Sequence, residues 1–150
     1  MKVFNHVLNT WLLAHALHPF VFYFYFLLIN KESLEFEALL SLFIGAFIIS
    51  FPSLIFSRLF FGFVLWLRIP VAGSFISWCI LTLVSTFLNV ILLGFLLGNN
   101  LINQSDSKFF IPSFIATFFS VLIRFIAFQE LIKQHRRFEE QEHIVSSYDN

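Results

Sequence analysis

Cysteine is nearly absent: Cys79 is the only one in 150 residues. No disulfide can form within the chain, and thiol-pair redox chemistry would need a second sulfur from elsewhere. Charge is scarce too, at 12% of residues, with nine cations balanced by nine acids. No basic tract follows the pattern needed to cover a phosphate backbone, so nucleic acid is not an expected partner. Most telling is the lack of Asp or Glu inside any long apolar stretch. A proton-coupled exporter or a carboxylate relay within the bilayer needs such a group. An intramembrane zinc protease needs H-E-x-x-H, which does not occur, and five histidines are too few for a membrane di-iron enzyme. Catalysis is therefore not expected, and neither is a cofactor or a metal.

What remains is apolar. Hydrophobic residues make up 59% of the chain, against roughly 45–50% in soluble domains, and the mean hydropathy is +0.86. Twenty-four Phe supply bulk without a hydrogen-bonding group, which suits lipid contact and filling between helices. A helix needs about 20 apolar residues to cross roughly 30 Å of hydrocarbon. Four stretches meet that length, at about 10–29, 38–56, 74–98 and 109–128. The expected fold is an all-α integral membrane protein: a four-helix transmembrane domain over 1–128 and a cytoplasmic helical tail over 129–150. The first stretch follows Lys2, is interrupted by His15, His18 and Pro19, and has no small-x-small cleavage site after it, so it reads as an uncleaved signal anchor. Connecting turns are expected at 30–37, which carries Glu32, Glu35 and Glu37, and at 99–108, rich in Asn.

Cations near span ends are retained on the cytoplasmic side. Lys2, Arg58, Arg68, Arg124, Lys133, Arg136 and Arg137 fall on one side of the four stretches, and only Lys31 and Lys108 on the other. Both termini are thus expected inside. Trp11, Trp66 and Trp78 fall near the same boundary, as an aromatic belt would place them. Arg58, Arg68, Lys133, Arg136 and Arg137 are the expected anchors to lipid headgroups. The short apolar piece 59–67, bracketed by Arg58 and Arg68, spans too little to cross. It reads as an inner-leaflet interfacial helix or a re-entrant element; the further possibility is a long second span bent at Pro52.

Polar groups at membrane depth are costly and mark sites by default. His15 and His18 lie one turn apart in the first span. Thr82, Ser85, Thr86 and Asn89 form a stripe in the third span, and Ser113, Thr117, Ser120 and Arg124 in the fourth; their small hydroxyl residues suit contacts between helices. Matching antiparallel neighbours by depth pairs Asn89 with Thr117 and sets Ser85 or Thr86 opposite Ser120. The same matching gathers His15, His18, Ser53, Thr82 and Arg124 into an inner-leaflet cluster. In the tail, His135, Glu139 and His143 share a helical face, which a solvated helix explains as readily as a ligand set, and the chain is expected to fray from Val145.

These features predict a non-catalytic multi-pass subunit that binds partner proteins in a larger membrane complex. The alternative is a small oligomeric channel, pore or carrier with a polar path along spans three and four. Expected partners are membrane lipids, other membrane subunits or further copies of the chain.

Overall fold

The computed structural model describes residues 2–29, 35–96 and 107–148. Among them all regular structure is helical: α1 (Lys2–Ile29), α2 (Phe36–Ile49), α3 (Phe51–Trp66), α4 (Val71–Leu96), α5 (Ser107–Ile123) and α6 (Phe125–Tyr148). Two helices are long and apolar enough to cross a bilayer, α1 and the Val71–Leu92 part of α4. The pairs α2–α3 and α5–α6 reach that standard only when each is taken as one bent element, with bends of 48° and 57°. The expected turns lie mostly outside the described residues.

The α2–α3 bend is written in the chain. Pro52 has no N–H, and its ring would collide with the carbonyl four residues back, which favours a kink or break at the end of α2. In the first turn of α3 the same proline is well placed. The break falls at Ser50, and α3 continues unbroken through 56–59. The segment 59–67 is therefore no separate element: nearly all of it is the second half of a helix that begins at Phe51. The predicted second span, 38–56, straddles the break.

The α5–α6 bend has no proline or glycine beside it. It falls at Arg124, inside the predicted fourth span, 109–128. Turning there sets Phe128 and Ile132 into the protein, where both are fully buried. With no helix breaker up to its end, α6 persists to Tyr148, past the point where fraying is expected.

Helices α1, α3, α4 and α5 close a ring, each packed on the next, while α2 leans on α1 and makes no extended contact with α4 or α5. The core sits at the α3–α6 end. Phe61 stands edge-on to Trp78 at 4.8 Å and to Phe128 at 5.8 Å, packed with Val7, Val64, Val121 and Ile132. At the joint between α3 and α4, Arg68 adopts φ 50°, a left-handed conformation that costs a residue with a Cβ about 1–2 kcal/mol. Large apolar side chains such as Phe95, Leu28 and Trp66 face outward.

Candidate functional site

Away from the aromatic core the ring of helices does not fill its interior. It leaves a half-open chamber of about 430 Å³ to which α1 to α5 all contribute. Small residues on facing turns make up much of its wall, with Trp11, Phe22, Trp78 and Phe110 among the larger ones. Thr10, Ala14 and His18 come from α1, Gly45 and Ala46 from α2, Ser53 and Ser57 from α3, Thr82, Thr86 and Asn89 from α4, and Ser113, Ala116, Thr117 and Ser120 from α5. Small side chains let helices approach, yet five helices lined with them leave the centre open.

Residue names suggest a polar chamber, but the hydrogen bonds reverse that impression. Thr10 donates to the His6 carbonyl at 2.8 Å, Thr82 to the Trp78 carbonyl at 2.7 Å and Thr86 to the Thr82 carbonyl at 3.1 Å. Ser53 donates to the Ser50 carbonyl and Ser120 to the Thr117 carbonyl, both at 2.7 Å. These are bonds back to the preceding turn of the same helix. Each hydroxyl is satisfied within its own backbone, and what faces the chamber is mainly carbon.

Other polar groups close the seams. Ser85 accepts from Ser57 at 3.0 Å and donates to the Ser53 carbonyl at 2.8 Å, tying α4 to α3. Ser113 meets His18 Nε2 at 3.0 Å across α5 and α1. At the helix break, the Ser50 carbonyl accepts from Trp11 Nε1 at 3.3 Å, and the Ser50 hydroxyl pairs with His15 Nε2. Trp11 and His15, one turn apart on α1, thus tie α1 to the break, adding to the bonds that Ser50 makes with Phe47 and Ser53.

His15, His18, Ser53 and Thr82 all line the chamber, as do Thr86, Asn89, Ser113, Thr117 and Ser120. Thr86, rather than Asn89, is the residue that approaches Thr117, at 3.4 Å; Asn89 is buried with its Oδ1 unpartnered. Arg124 departs from the depth-matched cluster. Because α1 starts at Lys2, two turns earlier than the predicted span, Arg124 lies level with His6 rather than His15. Its Nη2 is 3.5 Å from His6 Nδ1. Together with Lys2, Ala127, Glu130, Leu131 and Gln134, these two residues line a second, shallower pocket of about 150 Å³.

The expected headgroup anchors divide in the structure. Lys133 and Arg137 are exposed on α6. Arg58 is exposed and stands over the Phe4 ring, 5.3 Å from its centroid. Arg136 is engaged instead, donating to the Ile69 carbonyl and, at 3.3 Å, to Ser74 Oγ. With the Lys2 bond to Gln134 at 3.1 Å, it straps α6 across the bundle end. The seven cations counted on one side of the sequence all belong to this end.

Sequence reasoning missed His6 and Ser57. The signal for His6 was available: His6, Thr10, Ala14, His18 and Phe22 recur every four residues, and all five are buried. Among the described residues no group of three His, Cys, Asp or Glu stands close enough to hold a metal ion; Glu139 and His143 lie outside the described side chains. Compared with family models, curated proteins and solved structures, the chain matches none.

Proposed function

We propose that the protein is a non-catalytic, four-span membrane protein that holds the hydrocarbon part of a lipid-soluble molecule in its interior chamber, as a binding protein or carrier. Its spans are α1, the bent pair α2–α3, α4, and α5 with the start of α6; both termini lie in the cytoplasm beside the basic end. The observation that carries this reading is the carbon-faced chamber of about 430 Å³, within the range of roughly 300–1,000 Å³ usual for small-molecule sites. Water is a poor filling, because carbon-lined cavities stay dry. A hydrocarbon chain suits the wall and is the solvent outside it. Entry is easiest between α2 and α4, where the bundle lacks extended packing.

The same hydrogen bonds weigh against a polar path along α4 and α5, since hydroxyls already bonded to their own helices offer an ion little in place of water. A partner-binding subunit would use the outer apolar faces, which lipid covers equally well, and it has no need of a chamber.

Gly45 provides the test. A Cβ built there meets nothing within 4 Å, so Gly45→Phe projects a ring into the chamber without displacing backbone. Native mass spectrometry of protein released from membranes is expected to show wild type carrying an apolar small molecule and Gly45→Phe without it, both folded to the same extent. Wild type flying bare, or both forms carrying the same mass, would remove the proposal.

A further inference from the structure

The pocket at the basic end is built for something the chamber cannot take. Arg124 is half-buried and its Nε is shielded from solvent with no hydrogen-bond partner. A guanidinium has five N–H donors and no acceptor. Among the described residues its guanidinium makes one hydrogen bond, the long contact to His6 Nδ1 at 3.5 Å. For that nitrogen to accept, the proton of a neutral His6 must sit on Nε2, which lies without a partner among the rings of Phe61, Trp78 and Phe128. His6 therefore cannot offset the arginine's charge. Lys2 brings a second cation to the pocket, held by Gln134. Glu130 is the acid in the lining and is exposed at the edge; among the described residues no carboxylate forms an ion pair with Arg124. Partly desolvating a cation without a counter-charge is expensive, and an anion of suitable size would offset it.

We infer that Lys2, His6 and Arg124 form a binding site for a phosphate group. About 150 Å³ admits a phosphate or phosphate ester and excludes a whole lipid. Arginine favours this chemistry because its N–H groups pair with two oxygens at once. The depth also fits. At 1.5 Å per residue, the 28 residues of α1 are about 42 Å long, some 12 Å more than the hydrocarbon, so its first turns stand at headgroup level. The site is independent of the chamber and stands or falls without it.

The test measures thermal stability of the full chain in uncharged detergent, titrated separately with phosphatidylglycerol, diacylglycerol and inorganic phosphate. Phosphatidylglycerol is expected to raise Tm and diacylglycerol to leave it unchanged. Stabilisation by inorganic phosphate at the same concentrations would assign the site to a soluble phosphate compound; stabilisation by the phospholipid alone assigns it to a headgroup. Arg124→Gln is expected to weaken the apparent affinity about tenfold. Glu130→Gln, which removes the edge acid and leaves the packing alone, is expected to strengthen it, and this variant decides the matter if Arg124→Gln folds poorly. Equal stabilisation by diacylglycerol, no response to either phosphate source, or an affinity unmoved by Glu130→Gln would overturn the assignment.

Discussion

Ser85 has no exposed surface and joins two helices through two bonds, to Ser57 and to the Ser53 carbonyl. Removing its hydroxyl leaves the Ser57 donor buried without an acceptor. Hydrogen bonds between membrane helices average about 0.6 kcal/mol and reach about 1.7 kcal/mol. Because both partners are buried, Ser85→Ala is expected toward the upper figure, read as a lowered midpoint in denaturant titration. Thr82→Val should cost less, since that hydroxyl only returns to its own helix, and the two variants together test which hydroxyls tie helices and which merely line space. The sequence shows both as members of one stripe. It cannot separate them, because whether a hydroxyl turns to its own carbonyl or to a neighbour depends on how close the neighbour comes. Arg124 stands apart from the expected cluster for a related reason: the edge of the apolar run lies near Thr10, whereas α1 keeps its helical course through Asn5 and His6 to Lys2.

Between helices, legibility follows the local cause. Pro52 announced the α2–α3 bend, and the structure puts it at Ser50 with Trp11 and His15 bracing it. The bend at Arg124 has no such mark, because it comes from the burial of Phe128 and Ile132 against a core assembled from other helices. That core, with Arg136 and Lys2 as straps, fixes α6 to the bundle. Arg136→Ala is expected to speed tryptic cleavage after Lys133 and Arg137 several-fold in detergent; unchanged cleavage would show that apolar packing alone holds the helix.

For the molecule as a whole, the lack of acids within the long apolar stretches and the asymmetry of the cations are legible from composition and order alone. The chamber is not, because an unfilled interior is a property of five helices at once. The topology proposed from the charges has a direct check. In a Cys79→Ser background, Glu140→Cys is expected to label from the cytoplasmic side and Glu35→Cys from the opposite side; labelling of both from one side would break the four-span arrangement. The central claim is that hydrocarbon enters the bundle, and Trp78 can report it, since it lines the chamber and is 1% exposed. With Trp11 and Trp66 replaced by Phe, its fluorescence would be recorded in vesicles of phospholipid brominated along the acyl chain. Strong quenching that Gly45→Phe largely abolishes is the predicted result; quenching that is absent, or untouched by Gly45→Phe, would contradict a chamber that holds a chain.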